Sequence, residues 1–195
     1  GIKVESIAAL KPDYVFVKKE ELKPDLAEKL NQLNINVIAL EQDYSVEGTK
    51  QIIKQIAEKL KISAKNLIAG IDEKIKEVEP IENPPKVLFI YARGPGNLMV
   101  AGKNTSLQEM IDLAGGHNVD LDFEDFKPLT PEAMVTANPD AILMFSTGKE
   151  SLEESVGLMA MPGVAQTTAG KNNQFISMEG LLLSGFGPRV GEAAV

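Results

Sequence analysis

Residues 63–79 read SAKNLIAGIDEKIKEVE, and their spacing divides the rest of the chain. Leu67, Ile71, Ile75 and Val78 recur at helical intervals, while Lys65, Asp72, Glu73, Lys74, Lys76 and Glu77 occupy the other faces. The pattern predicts one amphipathic helix, about 25 Å long at about 1.5 Å per residue. Ser63 is placed to cap its start, and Pro80, followed by Pro84 and Pro85, stops it, because proline brings no amide hydrogen and crowds the preceding turn. Each side of this helix carries its own strand and helix pattern, so it reads as a strut between two lobes. The expected division is a partial N-terminal α/β lobe over 1–62, an inter-lobe helix over 63–80 and a C-terminal α/β lobe over 81–195.

A chain of 195 residues, 44% of them hydrophobic, buries a real core but is short for two complete domains. Its 28 acidic and 20 basic residues leave a net charge of -8, which argues against a nucleic-acid surface, since phosphate binding needs clustered cations. With no cysteine, disulfides, thiolate metal sites and cysteine nucleophiles are excluded. A single histidine excludes a histidine-rich metal site. No apolar run approaches the roughly 20 residues of a membrane span. Gly1 begins neither a signal peptide nor an evident native terminus, so an export signal is expected upstream or already removed.

Before the strut the sequence predicts a short helix over 4–10, a strand from Tyr14 to Val17, a helix over 24–33 with Leu26, Leu30 and Leu33 on one face, and a buried strand over 36–40. A helix over 46–60 turns Ile52, Ile53, Ile56 and Leu60 inward. This is α/β grammar with parallel crossovers, but two strands make too small a sheet to stand alone. After the strut, residues 87–92 form a continuous apolar run, as in a parallel strand covered on both faces. Leu98 to Ala101 follows the loop at 93–97, and then Thr105 or Ser106 caps a helix that ends at Gly115-Gly116. Thr130-Pro131-Glu132 starts another helix, ahead of a strand over 141–145, a helical stretch over 152–161 and a strand over 174–178. Pro188 opens a last helix with few residues left to fill it.

A repeat joins the two halves. Seven residues after Glu5 stands Pro12, and seven after Glu132 stands Pro139; Asp13 and Asp140 follow, each before four apolar or aromatic residues. Each copy reads as helix, Pro-Asp turn and strand, and both glutamates fall in the first turn of their helix. Matched docking charges are one reading of the pair; interaction with the helix dipole is the other.

Only two arginines occur, Arg93 and Arg189, and both lie in loops rich in glycine and proline. A planar guanidinium fork binds a carboxylate bidentately and tolerates partial burial, and glycines at 94, 96, 185 and 187 let backbone approach a ligand. Both loops lie near expected strand ends, where open α/β sheets bind ligands. The alternative is that each arginine ties down its own loop through carbonyl oxygens. His117 reads as a helix-end residue bonding a carbonyl, Tyr14 and Tyr91 as core, Tyr44 as part of a polar connection, and Met159 and Met161 as packing residues. Gly94-Pro95-Gly96 lacks the spacing and lysine of a phosphate loop, and no acid pair suggests general acid and base work.

Five segments carry a resemblance: Ile7 to Asp13, Met99-Val100-Ala101-Gly102, Leu113-Ala114-Gly115-Gly116, Phe126 to Glu132, and Gly180 to Arg189. Together they resemble the haem-binding periplasmic proteins of ABC importers, within a wider group that also binds cobalamin and ferric siderophores. The last segment is the more particular to the haem branch. The resemblance implies an α/β class III periplasmic binding protein fold, two lobes joined by a single long helix with the ligand between them. It also implies that the first part of the N-terminal lobe and the last C-terminal helix are missing here. Ligand-binding residues are then expected at Arg93, Gly94, Gly96, Phe186 and Arg189, with Arg93 near a propionate and Arg189 reaching towards an axial tyrosinate. That axial tyrosine is expected upstream of Gly1, since none of Tyr14, Tyr44 or Tyr91 matches its position. Glu5 and Glu132 match acids that dock onto arginines of the membrane permease. The implied function is an extracytoplasmic binding protein, not an enzyme, that captures haem as transported ligand and delivers it to an ABC importer. A ferric siderophore or corrinoid on the same fold, an α/β enzyme using the Arg93 loop on a phosphorylated substrate, and an interaction module using its acidic surface are the alternatives.

Overall fold

The computed structural model describes residues 3–94, 96–119 and 122–195; the chain start at Gly1 and Pro95 of the 93–97 loop lie outside them. The chain opens with α1 (Val4–Ala9), β1 (Tyr14–Lys18), α2 (Pro24–Gln32) and β2 (Asn36–Leu40). The strands pair in parallel with Tyr14 opposite Asn36, as a β-α-β crossover requires. Leu30 is fully buried. Leu33, expected on the same face, is exposed, because it is the C-cap of α2 and the left-handed Asn34 (φ 58°) turns the chain away.

Next come α3 (Val46–Leu60) and α4 (Lys65–Ile75). Ser45 caps α3, its hydroxyl accepting from the Gly48 amide at 2.9 Å. Ile53 and Ala57 are buried, whereas Leu60, expected inward, is exposed at the fraying end. The helix expected over 63–79 is shorter than its apolar spacing suggests. Its N-cap is Ala64, not Ser63, and beyond Ile75 the amides of Glu77 and Val78 bond three residues back, to Lys74 and Ile75. That tighter turn packs Val78 against the core and ends the helix at Ile75, five residues before Pro80, so the proline expected to stop the helix does not terminate it. Leu67 is exposed while Ile68 packs inward, so the buried stripe is Ala64, Ile68, Ile71, Ile75 and Val78.

The remaining strands are β3 (Lys86–Ala92), β4 (Leu98–Ala101), β5 (His117–Asn118), β6 (Phe126–Pro128), β7 (Ala141–Phe145) and β8 (Phe175–Met178). They form one mixed sheet in the order β6-β4-β3-β7-β8, with β5 beside the start of β3. β3, β7 and β8 run parallel; β4 is antiparallel to both β3 and β6. Successive side chains of β3 point to opposite faces, and both faces are covered. Val87 and Phe89 join Ile53, Ile71, Met110 and Val190 on one side; Leu88 and Ile90 join Met134, Leu152, Val164 and Ala169 on the other.

The first face is covered by α3, α4, α5 (Ser106–Leu113), α9 (Gly180–Ser184) and α10 (Val190–Ala194). The second is covered by α6 (Pro131–Ala137), α7 (Ser146–Ser155), the 158–166 segment and α8 (Thr168–Lys171). The helix expected over 152–161 begins at Ser146 instead. Gly148 allows this, since a Cβ there would sit 3.2 Å from the Ala92 carbonyl oxygen, so the helix can start hard against β3. Met161 is buried, but Met159, expected to pack, is exposed. Among the described residues no helix is long and apolar enough to cross a membrane.

The repeat persists in the backbone. Glu5 and Glu132 are exposed in the first turns of α1 and α6, and each helix gives way to a left-handed residue before its proline, Lys11 (φ 46°) and Asn138 (φ 38°). The copies differ at their caps: Thr130 accepts from the Ala133 amide at 3.1 Å, whereas Lys3 provides no side-chain cap.

Candidate ligand cavity

Side chains of β3 that lie on the Val87–Phe89 face continue through Tyr91 to Arg93 as the strand leaves the sheet. The 93–97 turn closes with Arg93 N donating to Asn97 O at 3.0 Å and Asn97 N to Gly94 O at 3.2 Å. Gly94, at φ 100°, supplies a backbone conformation that side chains oppose. Arg93 is thereby held above Tyr91, its guanidinium carbon 4.7 Å from the ring centroid.

Here a cavity of about 630 Å³ opens, within the range of small-molecule sites. Four of the chain's ten aromatic residues line it: Tyr44, Tyr91, Phe126 and Phe145. Tyr91 meets Phe145 edge-on at 5.5 Å and Phe126 at 6.5 Å, and Phe145 meets Phe89 at 4.9 Å, so the lining is anchored to the core by edge-to-face contacts. Phe126 reaches this position because β6 is pinned by Gly102 N donating to Asp125 O at 2.7 Å, across a glycine whose Cβ would collide with Phe123.

The polar edge comes from the start of α5. Thr105 caps that helix by accepting from Gln108 N at 3.2 Å, and Asn104, Thr105 and Ser106 line the cavity at the positive helix end. Arg93 is the one cation and Asp125 the one acid among the described lining residues. A flat, apolar body with an anionic edge fits this lining better than a polyphosphate, which would need more cations. No cluster of histidine, cysteine and carboxylates able to hold a metal exists among the described residues, and the exposed His117 serves β5, its backbone amide bonding Pro85 O at 2.9 Å. Side-chain oxygens at the cavity come from Tyr44 and Tyr91, from Asp125 and from the amides and hydroxyls of its polar edge.

The two arginines are not brought together. Arg189 is the N-cap of α10 and lines a separate crevice of about 210 Å³ with Leu181, Leu182 and Pro188. It lies 3.9 Å from Glu179, whose carboxylate accepts from the amides of Leu181 and Leu182, both at 2.8 Å. Those two bonds, then Arg189, hold the Glu179 carboxyl below the usual range. Gly94 and Gly96 belong to the rim turn and do not line the cavity. Phe186 is buried in the core, 3% exposed, and reaches the cavity through Tyr44, which it meets edge-on at 5.7 Å.

Sequence reasoning missed Tyr44 and Tyr91 as lining residues. Tyr91 shares the strand face of Phe89, and nothing in the sequence marks where the covering helices stop short of the strand end. Tyr44 had one local signal: it directly precedes a helix cap, a position whose side chain the cap holds in place.

The family model described as periplasmic binding protein matches residues 1–180. The chain belongs to that family. Its fold is the class III form: the periplasmic heme-binding protein RhuT from Roseiflexus sp. RS-1 superimposes at TM-score 0.87 and 33% identity, covering 100% of this chain and 77% of that one. BhuT, a periplasmic heme-binding protein solved with two hemes, gives 0.88 and 28%, covering 100% of this chain and 76% of that one. YvrC of Bacillus subtilis strain 168, an uncharacterized ABC transporter substrate-binding lipoprotein, is 26% identical over 203 residues, 98% of this chain. This family member spans 62% of YvrC's length.

Proposed function

We propose that this chain is part of an extracytoplasmic substrate-binding protein that captures haem and passes it to an ABC importer. The observation that carries the reading is the aromatic cavity at the ends of β3 and β7 with Arg93 over Tyr91 at its edge. Haem is a flat conjugated ring with two carboxylates; Tyr91, Phe126 and Phe145 offer apolar contact, and Arg93 offers a bidentate partner for a propionate. The haem-binding neighbours support the choice of ligand. Capture and release make and break no bond of the cargo, so no enzymatic step is assigned.

Residues 1–62 and 81–195 act as two lobes joined through 63–80, with Gly94 and Gly96 leaving the rim open to the ligand and Phe186 supporting the wall. Arg189, which lines its own crevice, is assigned the role of supporting an axial tyrosinate on the iron. Glu5 and Glu132, exposed in matched first turns, dock onto permease arginines. A thermal-shift comparison tests the ligand class: hemin should raise the melting temperature, as any ligand of the folded state does, while a corrinoid and a ferric siderophore leave it unchanged. Stabilisation by either of those, with none by hemin, would replace haem as the cargo.

A further inference from the structure

Tyr44 stands in a corner built to fix it. The Ser45 hydroxyl caps α3 and Ser45 N donates to Asp43 O at 2.8 Å, locking the backbone on both sides of the ring. Gly48 keeps this turn tight, since a Cβ there would lie 2.5 Å from the Asp43 carbonyl oxygen. Phe186, which backs the Tyr44 ring, holds a left-handed φ of 43°, a conformation an aromatic residue adopts only when its surroundings enforce it. The enforcing contact is the Thr49 hydroxyl, 2% exposed as a residue, donating to Phe186 O at 2.8 Å. Tyr44 lines the cavity together with Asn104, Thr105 and Ser106 of its polar edge. The hydrogen bonds of this corner run through Ser45, Thr49 and the Phe186 carbonyl and leave the Tyr44 hydroxyl unengaged among the described residues.

We infer that Tyr44 is a ligand-contacting residue whose hydroxyl donates a hydrogen bond to a carboxylate of the flat ligand held in the cavity. The inference rests on the haem reading above. Strain at Phe186 and three polar locks on one turn are an expensive way to hold a ring that has only solvent to meet. Arg93 and the start of α5, lining the same cavity, make its polar edge the favourable place for an anionic group.

The test titrates the wild-type chain, Tyr44→Phe and Tyr44→Ala with hemin and with iron-free protoporphyrin IX, alongside their melting temperatures. Tyr44→Phe keeps the ring and the fold, so it is the deciding variant. It should bind both compounds about tenfold to a hundredfold more weakly, the range of a hydrogen bond to a charged group, with an unchanged melting temperature. Equal binding by Tyr44→Phe and wild type would overturn the contact, whatever Tyr44→Ala does. A defect with hemin alone would move the hydroxyl from the carboxylate to the iron and overturn it as stated. Absence of hemin binding by the wild type would remove the haem reading itself and the contact with it.

Discussion

The guanidinium carbon of Arg93, the first residue beyond β3, lies 4.7 Å from the centre of the ring of Tyr91, two residues back within the strand. Period-two geometry puts both side chains on one face, and the Gly94 turn keeps the arginine from swinging away. The stacking contributes about 0.5 to 1 kcal/mol at such an exposed site. Arg93→Ala should therefore lower stability by no more than about 1 kcal/mol in denaturant melts, yet weaken hemin binding about tenfold. Arg93→Lys should recover only part of the affinity, because an ammonium lacks the planar fork. Equal affinities for all three proteins would remove Arg93 from the site.

Lys50 ties α3 to α4. Its ammonium, on a side chain 11% exposed, meets Glu47 at 2.7 Å and also pairs with Asp72. Bonding to Asp72, then to Glu47, raises its pKa above the ordinary lysine value. The raised folded value means that this stabilisation is complete below about pH 10.4 and is lost as pH rises through the folded value. Both acids are substantially exposed, so Lys50→Met should cost about 1 kcal/mol near neutrality. The gap in melting temperature between variant and wild type should close in strongly alkaline buffer; a gap independent of pH would assign the effect to packing.

Glu179 caps α9 and faces Arg189. Its carboxyl is held below the ordinary value of about 4.3, so the stabilisation is present above that pH and is lost as pH falls through the lowered folded value. Glu179→Gln should melt earlier than wild type at neutral pH, and the two curves should converge in acid. Coincident curves at neutral pH would show that the cap contributes nothing measurable.

Gly191 marks the close approach of α10 to α4. A Cβ there would lie 2.5 Å from the Lys74 Cβ and 3.3 Å from the Ile75 amide nitrogen. Gly191→Ala should push the helices apart and cost about 1 to 3 kcal/mol, an overpacking penalty. An unchanged or raised melting temperature would mean that α10 moves aside freely.

Much of the fold was legible because its signals are local. The apolar run of β3 and the caps Thr105 and Thr130 depend on near neighbours, and the structure places them where the sequence indicates. Residues 63–79 were harder. Leu67 and Ile68 are adjacent, so two apolar stripes share Ile71 and Ile75, and only the sheet beneath decides which is buried. The candidate cavity was legible in part: Arg93, singled out as one of two arginines, lines it. Its separation from Arg189, and the entry of Tyr44 and Tyr91 into the cavity, arise from contacts between residues distant in sequence that no spacing rule reports.

The most direct test is a hemin titration of this chain followed in the Soret band. Saturable binding with a shifted band, weakened in Arg93→Ala, is the result expected of the Tyr91–Arg93 cavity. A linear, unsaturable rise identical in the two proteins would contradict haem capture at this site.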